Sequence, residues 1–436
     1  MSEKVNSKRI NLEHITRIEG HGNICIDIEN DKIKEIQWQV SEAPRFFENI
    51  VVGKSFEQIP SIVSRICGIC SIGHTLASLK AIENALSVNI TEQTLLLRKL
   101  ALHGENIQSH ILHLGYLVSP DLFGVGSIIP LAKSQKELLL NIIDIHKLAN
   151  EMSDTICGRT THPVSMVVGG FSKLPCQTRL NSIKSKLIKG IKILEYLAYA
   201  IHDKYKDMLD FQRETEYIAL SCDDEYALYD GQVASSDTGL CGVDEYLNIV
   251  NEYIVPYSTA KFAKHNRSSY MVGALARFNI NSCKLLPEAK AIADIFGLKS
   301  PCYNPFMNNI AQLVEIVHSF VDSINIIDNL LSKHLTQEDI NIKIISGNGI
   351  GAVEVPRGIL FHEYLFDDNG ICIKANCVIP TNQNHGNIQK DLEVFTPNVI
   401  NLPDEELKRK LSMLVRAYDP CISCSTHLID IKINKK

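Results

Sequence analysis

Alternation of apolar and polar residues marks the start of the chain. "GNICIDIEND" and "KIKEIQWQV" each change character at every second residue and are joined by the turn-prone "ENDKI", which predicts a β-hairpin. From "SIVSRICGIC" onward the period becomes helical. "HTLASLKAIENAL" puts Leu76, Leu79, Ile82 and Leu86 on one face, and "TEQTLLLRKLALHGENIQSHILHLGYLV" reads as one long helix with Thr91 at its N-cap. Three further helices are predicted, at "LAKSQKELLLNIIDIHKLANEMSDTI", "LNSIKSKLIKGIKILEYLAYAIHDKYKDML" and "NNIAQLVEIVHSFVDSINIIDNLLSKH". The last repeats Ile310, Val314, Val317 and Val321 on one face. Residues 215–270 are less regular, with turn signals at "YDGQV" and "SSDTGL". After Gly347 alternation returns in "GIGAVEVPRGILFHEYLF" and "DDNGICIKANCVIP", where "DDNG" suits a hairpin turn.

The layout is strand pair, long helices, strand pair, short tail, with no fixed-period repeat. It predicts a mainly α protein with small β elements (α+β), built on a central long-helix bundle with β-hairpins at both ends. One domain spans 1–436: N-terminal strands in 1–60, a helical core in 61–345, C-terminal strands and a second cysteine motif in 346–427, and a tail at 428–436.

Bulk composition excludes more than it assigns. The 436 residues are 45% hydrophobic and 22% charged, with net charge -6, so nothing favours nucleic acid as a partner. "MSEKVNSKRINLEH" has no apolar core of a secretory signal, and no uncharged run reaches the length of about 18 residues that a membrane span needs. A cytoplasmic location is expected. The thirteen cysteines are an odd number scattered through a long chain, which favours reduced thiols over a disulfide framework. Nine of them (Cys25, Cys157, Cys176, Cys222, Cys241, Cys283, Cys302, Cys372 and Cys377) have no cysteine at chelating distance and read as small buried hydrophobes.

The other four form two C-x-x-C pairs, Cys67 with Cys70 and Cys421 with Cys424, each with a downstream histidine (His74, His427) and an upstream arginine (Arg65, Arg416). Two such pairs can complete a four-sulfur site. Structural zinc usually staples small units whose pairs lie about 15–20 residues apart; here 351 positions separate Cys70 from Cys421. Spacing alone leaves zinc, unmetallated thiols and a catalytic metal all open.

"RICGICSIGH" with "DPCISCSTH" resembles the paired signatures of the nickel–iron hydrogenase large subunit. "TRIEGHGNICIDI", "GRTTHPVSMVVGG", "EVPRGILFHEY" and "VIPTNQN" are similar to that family's other elements, in its order, and the pattern most resembles its soluble cytoplasmic multimeric branch. The resemblance implies that all four cysteines bind nickel, with Cys67 and Cys421 terminal and Cys70 and Cys424 bridging to an iron that carries carbon monoxide and cyanide. It implies Cys421 as first proton acceptor and Glu19 as the relay behind it. Arg357 would stand over the metals with Asp419 as its partner, and Pro380 and Thr381 would pack around the diatomic ligands. His74 would donate to a thiolate. Glu48 and His427 would bind magnesium near the C-terminus, although "APRFFEN" departs from the family's F-R-G-F-E. His103, His110 and His113 read as packing residues. No cysteine set remains for an iron–sulfur cluster, so electrons would leave through an iron–sulfur small subunit, then through further flavin or heterodisulfide-reductase-type subunits. Maturation proteins would build the centre. Related non-turnover readings are an H₂ sensor and a four-cysteine zinc protein.

Nine residues, "LIDIKINKK", follow His427 and alternate like a strand. An intact mass ending at His427 is the expected sign of proteolytic maturation; a mass retaining Lys436 on active enzyme marks maturation without that cut.

Overall fold

The computed structural model describes residues 7–30, 32–205 and 210–426. The predicted N-terminal hairpin forms, as β2 (Gly22–Glu29) against β3 (Lys32–Val40). Its inward positions are Ile24, Ile26, Ile36, Trp38 and Val40, all buried. A strand absent from the sequence reading, β1 (Ser7–Leu12), pairs antiparallel with β2. After α1 (Phe47–Val51) the chain enters α2 (Ser71–Ala85) and α3 (Glu92–Leu112). Thr91 caps α3, its hydroxyl accepting from Thr94 N at 3.1 Å, and a π-helical stretch His113–Val118 continues it.

The next predicted helix is two. A short helix Ile128–Ser134 breaks at Gln135 before α4 (Lys136–Cys157). Then come α5 (Gln177–Tyr205) and the region expected to be irregular, which is in fact a small sheet. It contains β4 (Glu216–Ser221), β5 (Gln232–Ser235), β6 (Gly239–Cys241) and β7 (Tyr270–Met271), in the order β7-β4-β5-β6. These strands run for two to six residues, too short to display a period. Behind them lie α6 (Ala274–Asn281) and α7 (Asn308–Lys333). Among the described residues, only the segment of α7 is long and apolar enough to cross a membrane, and 78% of its most apolar window is buried in the bundle.

The C-terminal strands form an antiparallel meander, β8 (Gly347–Val355), β9 (Gly358–Phe366) and β10 (Cys372–Val378). The "DDNG" turn between β9 and β10 closes on a Gly370 N to Asp367 O bond of 3.0 Å. The segment expected to hold only strands and a cysteine motif also contains two helices, α8 (Pro380–Val399) and α9 (Asp404–Ala417). The predicted strand "LIDIKI" lies outside the described residues.

One contact sets the spatial order of these parts. Helix α2 lies directly on the backbone of β8. A Cβ at Gly347, Gly349 or Gly351 would stand 2.3, 2.1 or 2.2 Å from the carbonyl oxygens of Ala85, Ala81 and Ala77. Two strand residues advance about 6.6 Å and four helix residues about 6 Å, so the two repeats keep step. Because strand and helix run in opposite directions, the start of α2 reaches the end of β8. Gly73 meets Val355 there, with no room for a side chain.

Gly349→Ala is therefore expected to cost about 1–3 kcal/mol through overpacking. Gly126→Ala, with nothing within 4 Å of the new methyl, should leave the thermal midpoint nearly unchanged. Thermal unfolding of the two variants measures the difference.

Candidate metal centre

The first cysteine pair stands at the start of α2, where that helix meets β8. Cys70 is the residue before the first turn of the helix, and its backbone N–H donates to Cys67 Sγ at 3.2 Å. The second pair follows α9. The chain leaves Ala417, turns through Asp419 at a φ of 48°, and enters the short helix Ile422–Ser425 directly after Cys421. Glu19 meets this turn: its backbone pairs with Cys421 in an isolated β-bridge and accepts Ile422 N at 2.9 Å. Its carboxylate accepts Ser423 N at 3.0 Å.

The two pairs converge. Cys67 Sγ lies 3.6 Å from Cys421 Sγ, and the sulfurs of Cys67, Cys421 and Cys424 all fall within 4.8 Å of one another. All four cysteines are buried. Cys421 and Cys424 are joined through sulfur, so a metal taking both as thiolates requires the reduced pair. The Cys70 thiol donates to Cys67, which brings Cys67 down to about 7 and drives Cys70 upward. A cluster of buried sulfur donors fits a soft metal centre, and oxygen-preferring cations are a poor match for it.

Arg357 occupies the turn between β8 and β9. Its Nη1 contacts Cys70 Sγ at 3.3 Å and Ser109 Oγ at 3.4 Å. Its Nε donates to the Asp419 carbonyl at 2.6 Å and its Nη2 to the Asp419 carboxylate at 2.9 Å. Burial opposes the charge of this guanidinium, but Asp419 and the two thiols outweigh it and keep it protonated. Gln312 Nε2 holds the other Asp419 oxygen at 3.1 Å. A fixed cation therefore sits over the sulfur cluster, a feature that a closed structural zinc site does not need.

The remaining expected residues take definite places. Pro380 opens α8, and the hydroxyl oxygen of Thr381 accepts Cys421 N at 3.1 Å, which leaves its O–H available as a donor. His74 Nδ1 lies 3.1 Å from His362 Nε2, whose own Nδ1 lies 2.6 Å from the Tyr364 hydroxyl. An imidazole thus holds one ring nitrogen of His74. Glu48 is buried in α1 and accepts Cys377 N at 2.7 Å. His427 lies outside the described residues, but Thr426, just before it, bonds through its carbonyl to Arg45 N at 2.7 Å.

Sequence reasoning passed over several residues of the site. Arg45 joins the two motifs: its Nη2 donates to Ile66 O at 2.6 Å, one residue before Cys67, and also to Ser423 O, between Cys421 and Cys424. Glu105 is fully buried and accepts Ile72 N at 2.7 Å and Gly73 N at 3.1 Å at the start of α2. Burial pushes its carboxyl well above the usual range, with the two amides working against that rise. His113, set aside as packing, lies 2.6 Å from Gln312 and 2.9 Å from the Arg416 carbonyl. Glu105, Ser109 and His113 are spaced four apart, a polar stripe on a buried helix face that the sequence did display. His103 and His110 are core residues as expected, paired with Asp322 and Glu315 at 2.7 and 2.8 Å.

Known proteins are similar to this chain over most of its length. The family described as nickel-dependent hydrogenase matches residues 45–139 and 305–427, and a HoxL-like family matches residues 9–43. The alpha chain of sulfhydrogenase 1 from Pyrococcus furiosus is 32% identical over 421 residues, covering 96% of this chain and 98% of that protein. The beta chain of the NAD-reducing hydrogenase HoxS from Cupriavidus necator is 26% identical, covering 97% and 95%. The crystal structure of an NAD+-reducing [NiFe]-hydrogenase in the H2-reduced state superposes with a TM-score of 0.86 at 25% identity, over 97% of this chain and 100% of that one.

Arg45→Ala, which removes the tie between the two motifs, is expected to weaken metal retention on the order of 10- to 100-fold without unfolding the bundle. Metal analysis after graded chelation, beside Cys67→Ser as the ligand-deleted control, reads the loss.

Proposed function

The chain belongs to the nickel-dependent hydrogenase family and is its large catalytic component, an oxidoreductase acting on H₂; from that premise we propose how its own residues carry out the reaction. The observation that carries the proposal is the meeting of Cys67 and Cys421 sulfurs at 3.6 Å beneath an arginine locked to Asp419. Cys67, Cys70, Cys421 and Cys424 would hold a nickel–iron centre through their sulfurs. When bound, that centre supplies the site at which H₂ is split heterolytically and its electrons are taken up.

The protein's part is to place charge and move the proton. Cys421 Sγ takes the proton from H₂, and the Glu19 carboxylate receives it next, consistent with the backbone pairing of the two residues. Arg357 presents fixed donors to cyanide ligands on the iron, because its guanidinium is held at three atoms. Thr381 would have its hydroxyl hydrogen free to donate to a second such ligand, and Pro380 would exclude water beside it. His74, held through His362, supports a thiolate from behind. Glu48 and His427 bind Mg²⁺, and the anchoring of Thr426 to Arg45 supports bringing the chain end towards α1.

Electrons leave to an iron–sulfur small subunit, then to further electron-transfer subunits. Phe46, Ile50 and Val52 are exposed beside Glu48 and support docking of a partner near the site. A cytoplasmic location is part of this reading, and burial of the span-like α7 inside the bundle fits a chain that does not cross a membrane through that helix.

Glu19→Gln is expected to slow H₂ oxidation and H⁺ reduction alike by on the order of 10²- to 10⁴-fold. Nickel and iron content and the infrared bands of the diatomic ligands should stay at their native values. Zinc as the sole metal at the four sulfurs would overturn the assignment.

A further inference from the structure

Arg357 can act on the centre only if its long side chain starts from a fixed backbone. It sits in the two-residue connection Pro356-Arg357 between β8 and β9. Hairpin connections of this kind are ordinarily fixed by their own turn bonds. Here the turn is gripped from beneath by a second arginine.

Arg277, on α6, is fully buried, and every N–H of its guanidinium is used. Nε and Nη2 bond the two oxygens of Glu315 at 2.6 and 2.7 Å. Nη1 bonds the Glu354 carboxylate at 2.8 Å and the Val355 carbonyl at 2.9 Å. Nη2 also bonds the Pro356 carbonyl at 3.0 Å. One guanidinium thus holds the three residues immediately before Arg357. Its anchor is equally fixed, since Glu315 also takes His110 Nε2 at 2.8 Å and the Tyr226 hydroxyl at 2.7 Å. Glu354 accepts Leu220 N with its other oxygen at 2.7 Å.

The floor under the turn is backbone. A Cβ at Gly273 would lie 3.2 Å from the Arg357 carbonyl, and one at Gly358, with φ of 131°, would lie 2.5 Å from Val272 Cγ2. Asn384 of α8 fixes Val272 through both its N–H and its carbonyl, at 2.9 and 3.2 Å.

We propose that Arg277 is the positioning residue of Arg357: by gripping Glu354, Val355 and Pro356 it fixes the backbone from which the Arg357 guanidinium reaches the metal ligands. This rests on the reading of Arg357 as donor to the iron's cyanides. An arginine side chain carries about 2 kcal/mol of rotamer entropy, so holding its head group alone would leave the base of the chain free to drift. Fixing both ends leaves one geometry.

The test compares Arg277→Lys with Arg357→Lys in the purified, nickel-loaded enzyme complex. Lysine keeps the buried positive charge between Glu315 and Glu354 but cannot span the carbonyls. Expected for Arg277→Lys are native nickel content, faster deuterium uptake across residues 355–359, and cyanide infrared bands displaced in the direction seen for Arg357→Lys. Turnover should fall on the order of 10²-fold with KM for H₂ unchanged. Native bands and native exchange in Arg277→Lys would overturn the proposal. If Arg357→Lys leaves the bands unmoved, the cyanide-donor reading fails, and deuterium uptake alone then judges the clamp. A triple variant that is neutral at all three positions, Arg277→Met with Glu315→Gln and Glu354→Gln, removes the grip without stranding a charge and should behave as Arg277→Lys does. Failure of both variants to yield nickel-loaded protein would assign Arg277 to the core alone and overturn its link to Arg357.

Discussion

The site depends on how closely a helix can approach a strand. Gly347, Gly349 and Gly351 strip β8 of side chains on one face, and α2 settles onto the bare backbone. Dispersion and exclusion of water act over that contact without side chains to splay it. Its geometric result matters more than its energy. The N-terminus of α2 carries Cys70, the C-terminus of β8 leads to Arg357, and antiparallel packing brings the two to the same end. A thicker interface would separate them, and the 3.3 Å contact between guanidinium and sulfur would be lost.

Around that junction the protein buries an unusual amount of charge. Arg357 with Asp419, Arg98 with Glu83, and Arg277 with Glu315 and Glu354 are all enclosed. Desolvating such groups is expensive; at Arg277 carboxylates and backbone carbonyls take every N–H, while Arg98 fills its two terminal nitrogens and leaves Nε without a partner. Partial filling would be worse than an apolar core. These pairs hold loops in place that have little apolar area of their own. Pro356-Arg357 and the Asp419 turn are both fixed by charge and hydrogen bonds.

What the sequence revealed follows the strength of its periodicity. The hairpin β2-β3, helices α2, α3 and α7, and the hairpin β9-β10 were legible because their buried faces are apolar and long enough to repeat; the turn at Pro356-Arg357, which splits the expected first strand into β8 and β9, was not. Helix α8 was missed for the opposite reason. Its buried face carries Gln383, Asn384, Asn387 and Gln389, which hydrogen-bond to Ile359, Val272, Tyr418 and Trp38. Its first half, which uses amides where others use leucine, has no apolar stripe to read; the stripe of Ile388, Leu392, Phe395 and Val399 in its second half was in the sequence and was passed over. Strand β1, "SKRINL", is polar and exists through its pairing with β2. At the site, the cysteines, Arg357 and Asp419 stood out by motif and lie together in the fold. Arg45 and Glu105 did not, since both act on backbone groups of distant segments. Such partners follow from tertiary contact and leave no local mark.

The bridge between Glu19 and Cys421 joins segments that are made far apart in time. At about 5–20 residues per second, a ribosome needs roughly 20–70 s to travel from one cysteine pair to the other. Helices α2 and α3 are complete long before the second pair exists, and small helical units fold far faster than that interval. Until the second pair is made, Cys67 and Cys70 are a two-thiol half-site, and the strand β8 on which α2 rests is itself made late. Two sulfurs hold soft ions only weakly compared with four, so whatever binds early can be exchanged. A four-sulfur site exists only once the second pair is folded against the first, so tight metal binding is a property of the assembled fold that neither motif has by itself.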